Sequence, residues 1–204
     1  MKSPVATVHR AATGPLVVGI GGSARPQSSG ELALRYCLRL AEQVGARTEL
    51  VTAQALYVPM YDPASEQPDP DVARVIDLVR RADALVIASP AYHAGISGLV
   101  KNILDHLEAL SQADPPYLDG KIVGCIATSR GAQAGTLTLT ALRSVVHALR
   151  GWPTPLGVVI DTSVPAFGPD DEPAHEATRN QLHIMTTQML ATTAQRSSQE
   201  TPLE

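Results

Sequence analysis

A chain of 204 residues with 44% apolar and 18% charged side chains can enclose one sizeable core, and no apolar run in it is long enough to cross a bilayer. A formal charge of −4 without a Lys/Arg cluster excludes a broad nucleic-acid-binding face. Cys37 and Cys125 lie in apolar segments without CxxC spacing, which predicts two buried thiols rather than a disulfide or metal pair and fits the cytoplasm.

Residues 1–14 lack the apolar stretch of a secretory signal and read as a loose terminus, followed by a single domain over 15–194 and a disordered tail over 195–204. Within the domain, a first strand at 16–20 is followed by a helical stripe of Ala33, Cys37, Leu40, Ala41 and Val44, closed by Gly45. The strand at 48–52 is more polar than the others, as suits a sheet edge, and a Pro-rich loop runs from Pro59 to Pro70. Asp69-Pro70 then caps a helix carrying Val72, Val75, Ile76 and Val79. After a strand at 84–88, Leu99, Val100, Ile103, Leu104 and Leu107 form a stripe opposite Lys101, Asn102, Asp105 and Glu108. A strand at 122–127, a stripe of Leu142, Val145, Val146 and Leu149, a strand at 156–160 and a less regular helix over 173–194 complete the order.

Short β-branched runs alternating with helical stripes predict an α/β fold: a doubly wound, five-stranded parallel sheet with helices on both faces. The flavodoxin-like order 2-1-3-4-5 is one of two common solutions, and both bind ligands beyond the carboxyl ends of the strands. Three such ends carry unusual residues.

The first is Gly21-Gly22-Ser23-Ala24-Arg25-Pro26-Gln27-Ser28-Ser29. Glycines let the backbone turn tightly and approach a ligand, serines offer hydroxyl donors, and the next helix presents unpaired N–H groups. Arg25 adds a positive fork, so the loop suits a phosphate. Gly19-x-Gly21-x-x-Ala24 also satisfies a permissive dinucleotide pattern. Pro26, however, interrupts the helix start, and the second strand ends in Thr52-Ala53-Gln54 where that fold would place an acid. A phosphate monoester fits better.

The second end, residues 89–98, is small and polar enough to wrap a flat ring, with Tyr92 either beside the ring or packed as a loop aromatic. His93 reads as an exposed loop histidine. The third, Thr128-Ser129-Arg130-Gly131-Ala132-Gln133-Ala134-Gly135, would close the ring's other side. Arg130 has three readings there: balancing charge on a reduced ring, binding a nucleotide phosphate, or standing in water. The six histidines show no ligand spacing with Cys or carboxylates and no Gly-x-Ser-x-Gly elbow occurs, so neither a metal site nor a hydrolytic triad is expected.

Gly22-Ser23-Ala24-Arg25-Pro26-Gln27-Ser28, Ser89-Pro90-Ala91-Tyr92 and Leu99-Val100-Lys101-Asn102-Ile103-Leu104-Asp105 together resemble the NADPH-dependent FMN reductase family, over about residues 16–160. The resemblance implies FMN as cofactor and NADPH or NADH as electron donor. It implies a phosphate site of Ser23, Arg25, Gln27, Ser28 and Ser29, a ring site of Pro90, Ala91, Tyr92 and His93, and a far wall of Ser129, Arg130 and Gly131. Gly30 departs from it, standing where the family often has Asn or Thr. The family relationship further implies a homodimer or homotetramer and a second electron acceptor: a flavin-dependent monooxygenase fed with reduced FMN, or a quinone, azo dye or metal oxyanion. A one-electron carrier of flavodoxin type is the competing reading, and an aromatic fraction of 3% favours an open ring face that nicotinamide can reach.

Overall fold

The computed structural model describes residues 14–65 and 69–199, so all but Gly14 of the expected loose segment at 1–14, and the last residues, 200–204, lie outside what is described. The strands are β1 (Leu16–Gly21), β2 (Arg47–Thr52), β3 (Ala84–Tyr92), β4 (Gly95–Ile96), β5 (Ile122–Ser129), β6 (Trp152–Pro153) and β7 (Val158–Asp161). The helices are α1 (Ser29–Gln43), α2 (Pro70–Arg81), α3 (Gly98–His106), α4 (Ala132–Ala148) and α5 (Glu176–Gln199).

Parallel pairing places β2, β1, β3 and β5 side by side, with β6 and β7 both on the outer side of β5. The expected order 2-1-3-4-5 is therefore the observed one, its fourth strand being β5 because β4 is a two-residue hairpin arm on β3. The fifth position holds a broken strand rather than the continuous one expected at 156–160. β6 pairs with Ile122 and Val123, and β7 pairs with the far end of β5 from Ile126 onward. Pro153 and Pro155 supply no N–H to a ladder, and between the two pieces the Arg143 guanidinium donates to the Thr154 carbonyl (2.6 Å) while the Leu156 N–H donates to Gln188 Oε1 (3.0 Å).

The sheet separates two apolar clusters. Val18, Ile20, Leu85 and Ile87 face α2, α3 and α4 on one side, while Val17, Val86 and Ile126 face α1 and α5 on the other. Full burial of a Val, Leu or Ile side chain contributes roughly 1.5–3 kcal/mol, so such alternation commits each strand to one register. Asp69 caps α2 as expected, its carboxylate accepting the Asp71 N–H at 2.8 Å with Pro70 next in line. Burial pushes the thiols of Cys37 and Cys125 up to about 12, so neither is a nucleophile near neutral pH.

Three expectations fail locally. Val44 falls just past the end of α1 and is 70% exposed instead of completing the stripe. Asn102, expected on the polar face of α3, is buried: its Oδ1 accepts the Tyr61 N–H (2.8 Å) and its Nδ2 donates to the Pro59 carbonyl (3.0 Å), so it ties the long loop after β2 to α3. Finally, α5 continues past residue 194 to Gln199, into the segment expected as a tail.

Candidate active site

Gly21 ends β1 at a φ of +125°, and a Cβ there would lie 2.0 Å from the Ala88 carbonyl oxygen, so the position admits only glycine. Gly22, at φ +98°, donates its N–H to the same oxygen at 3.0 Å. The chain thus leaves β1 pressed against the end of β3 before it widens into residues 23–27.

Ser28 caps α1 in extended conformation, and its Oγ accepts both the Ser23 N–H (3.2 Å) and the Glu31 N–H (3.3 Å). A hydroxyl has two acceptor positions and one proton, so the Ser28 proton is left to donate elsewhere. Ser23 Oγ accepts the Arg25 N–H at 3.3 Å. Gln27 sits at a left-handed φ of 53°, and its N–H donates to Glu31 Oε2 at 3.3 Å, while Arg35 holds Glu31 Oε1 through Nη2 (2.7 Å) and Nε (3.0 Å). Ser28 and Glu31 thus form a variant capping box that reaches one residue further back than usual. The Ser23 and Ser28 hydroxyl oxygens and Glu31 Oε2 are thus turned onto the loop's own N–H groups. Hydroxyl protons, first-turn N–H groups of α1 and the exposed Arg25 guanidinium remain as donors and together make an anion cradle.

Gly30 belongs to the same packing. A Cβ on it would meet Gly22 Cα at 3.3 Å, so the first turn of α1 lies directly on Gly22. The missing Asn or Thr side chain is replaced by backbone contact.

The second end is less a loop than the sequence suggests. β3 runs on through Ser89-Pro90-Ala91-Tyr92 and turns back at once, with Ala91 opposite Ile96 and Tyr92 opposite Gly95. His93 (φ 51°) and Ala94 (φ 61°) are the two turn residues, the geometry of a type I′ hairpin that ordinarily calls for Asn-Gly. Buried Ser89 donates to the Pro90 carbonyl (3.0 Å) and accepts the Ser97 N–H (2.9 Å), and Ser97 caps α3 through the Val100 N–H (3.3 Å). Tyr92 is 55% exposed, which makes it a rim residue rather than a packed loop aromatic.

At the third end, Ser129 closes β5 and donates from Oγ to the Gly131 carbonyl at 2.7 Å, and the Thr162 N–H donates to the Ser129 carbonyl at 2.7 Å. Gly131, in ordinary extended conformation, starts α4 without a side-chain cap. Arg130 is exposed.

The three ends enclose a cavity of about 510 Å³. Its wall contains Ser23, Arg25, Gln27, Ser28, Ser29, Pro90, Ala91, Tyr92, His93, Ser129 and Arg130, so every expected site residue except Gly131 is brought together. Gly131 is directed into the start of α4 instead. The wall adds Pro26, Thr128 and Thr162. Thr162 was legible as the residue just beyond the fifth strand, a carboxyl end that sequence reasoning passed over for want of glycine or arginine. Glu31 was legible too, from the Ser28-x-x-Glu31 spacing. Among the described lining residues no carboxylate appears and two arginines do, so the cavity favours an anion at the loop end.

A family model described as NADPH-dependent FMN reductase matches residues 15–165. The chain belongs to that family. A curated relative, the FMN reductase (NADPH) of Pseudomonas putida, is 34% identical over 172 residues, spanning 82% of this chain and 83% of the relative. The FMN-dependent NADPH-azoreductase of Staphylococcus haemolyticus is 34% identical over a shorter stretch, 45% of this chain and 42% of the relative. FerB of Paracoccus denitrificans, a flavoenzyme NAD(P)H:(acceptor) oxidoreductase, shares the fold at a TM-score of 0.73 and 20% identity, over 89% of this chain and 98% of that one. As a member of the NADPH-dependent FMN reductase family the protein is an NAD(P)H-dependent flavin oxidoreductase, with FMN as its cofactor.

The described residues fit that group. Serine hydroxyls and the Arg25 guanidinium gather at one end without a carboxylate, Pro90 and Ala91 line the middle, and Tyr92 stands half-exposed on the rim.

Proposed function

We propose that the protein is an FMN reductase in which residues 23–29 hold the FMN phosphate, Pro90 to His93 support the isoalloxazine, and Ser129 and Arg130 close the far wall. The observation that carries this reading is the single cavity joining those three strand ends, with Arg25 and serine hydroxyls and no carboxylate lining the loop end. FMN bound there supplies hydride acceptance at N5 from nicotinamide and later electron delivery to a second acceptor. The polypeptide positions and shields. Ser23, Ser28 and Arg25 fix the phosphate, which sets the ring's depth and leaves one face for the nicotinamide.

The second acceptor in this proposal is a partner monooxygenase taking reduced FMN. The FMN-dependent azoreductase relative makes small oxidants the alternative acceptors. The proposal includes a cytoplasmic homodimer or homotetramer, to be weighed by sedimentation. Among the described residues no helix is long and apolar enough to cross a membrane. Anaerobic mixing of the FMN-loaded protein with NADPH tests the core of the reading. The visible flavin absorbance should bleach within one turnover, and flavin that stays oxidised for minutes would overturn it.

A further inference from the structure

At the edge of the sheet, between β2 and α2, lies a second cavity of about 330 Å³, inside the roughly 300–1,000 Å³ range of small-molecule sites. It shares no wall residue with the cavity assigned to FMN, so none of its groups is committed to the flavin.

Its floor is apolar. Val51 of β2 and Val75 of α2 belong to the core beneath, and half-buried Ala55 and Leu78 pack on that core while lining the cavity. The sheet edge adds polar groups. Among the described residues β2 pairs only with β1. The Arg47 N–H donates toward β1, to the Pro15 carbonyl at 2.9 Å, so strand alternation turns the N–H and C=O groups of Thr48, Leu50 and Thr52 outward. Leu50 packs its side chain with the core on the α1 face and lines the cavity with this open edge, one donor and one acceptor.

Arg74, Leu78 and Arg81 stand at i, i+4 and i+7 of α2. One stripe therefore carries a guanidinium at each end of an apolar side chain, roughly 10 Å apart along the axis. Neither guanidinium is used up. Arg81 gives Asp77 only its Nε (2.8 Å), and the other Asp77 oxygen takes Arg80 Nη2 (2.7 Å). Arg74 meets Asp71 at 3.7 Å with both side chains about two-thirds exposed, a pairing that solvent screens. Terminal N–H groups of both forks remain as donors. Glu49 is the one carboxylate in the wall, which leaves an excess of one positive charge there.

A cation would be repelled by that excess, and a neutral apolar molecule would leave the arginine donors to water. An apolar body with a single anionic head uses both halves of the wall. We infer that this cavity binds a small organic monoanion of that kind, a carboxylate or sulfonate, at a site separate from FMN, with an arginine fork on the head and Val51, Ala55, Val75 and Leu78 against the body.

Calorimetry on the FMN-loaded protein tests this with octanoate and its neutral counterpart octan-1-ol. Octanoate should bind at one site, about fivefold or more tighter than octan-1-ol. The double variant Arg74→Gln/Arg81→Gln should bring the two probes to equal affinity, and because both arginines are exposed and Asp77 keeps Arg80, the fold is not at stake. Ala55→Leu, on the 3-10 turn Ala53–Leu56, fills the cavity and should weaken both probes about fivefold or more. In the double variant the FMN Kd and NADPH turnover should stay within about twofold of the wild type. Should Ala55→Leu disturb the turn and with it FMN, the double variant decides. Equal affinity of the wild type for the two probes, or an octanoate preference that survives the double variant, would overturn the inference. So would octanoate binding that appears only after residues 1–13 are removed, since the cavity would then belong to the chain's own N-terminal segment. None of these outcomes touches the reductase reading.

Discussion

The loop at residues 23–29 and the turn at His93-Ala94 leave neighbouring strands at the same end of the sheet, yet they are held in different ways. In the loop, positive φ angles at the strand end fall on Gly21 and Gly22, and side chains then fasten the backbone: Ser28 by two accepted hydrogen bonds, Ser23 by one, Glu31 by one to the exception, Gln27. In the turn, positive φ falls on two residues with side chains, His93 and Ala94, and the hairpin is held by two residue pairs with Ser89 beneath. A small, charged phosphate needs donors fixed before it arrives, because each misplaced charged hydrogen bond forfeits about 1.5–3 kcal/mol. A ring binds by area and tolerates a rim that carries strain.

The comparison breaks most sharply at Gly21. Gly21→Ala should destabilise the protein by at least about 3 kcal/mol, because the added methyl has backbone rather than a movable side chain in its way. Chemical denaturation checks it, and a midpoint like the wild type would mean that β1 and β3 do not close as described. Arg25→Ala comes next but acts on the ligand. FMN affinity should fall at least tenfold, by the charged hydrogen bond of about 1.5–3 kcal/mol, with little change in thermal midpoint because the side chain is exposed. Unchanged affinity in a flavin fluorescence titration would remove Arg25 from the phosphate site. Ser28→Ala should do both on a smaller scale, losing about 1 kcal/mol of helix cap and roughly two- to tenfold in FMN affinity. If only the affinity moved, the cap reading would be wrong.

How legible the two regions were follows the same division. The loop could be read because its chemistry is local: glycines, serines and a cap within a few residues, partnered mostly with one another. The hairpin was hidden, since His93-Ala94 lacks the Asn-Gly signal and Pro90 reads as a strand breaker. It is admitted at the end of β3, opposite Thr128 of β5. Asn102 was misread for a related reason. Its spacing beside Lys101 says surface, and only Tyr61 and Pro59, far away in sequence, say otherwise. The broken fifth strand was half visible, in Pro153 and Pro155, but its ties to Arg143 and Gln188 were not.

The smallest expected effect has the opposite sign and tests the strained half of the comparison directly. Ala94 at φ 61° occupies the left-handed region, where a Cβ crowds the following carbonyl at roughly 1–2 kcal/mol. Glycine relieves that contact but gives the unfolded chain more freedom, which returns about 0.4–1 kcal/mol. Ala94→Gly should therefore stabilise the protein by a net of about 0.5–1 kcal/mol, seen as a raised denaturation midpoint with unchanged m-value. His93→Gly should gain less, because histidine enters this region more readily than alanine. A lowered midpoint in Ala94→Gly would show that the methyl packs favourably and that the hairpin, like the loop, is held by contacts rather than in spite of its backbone.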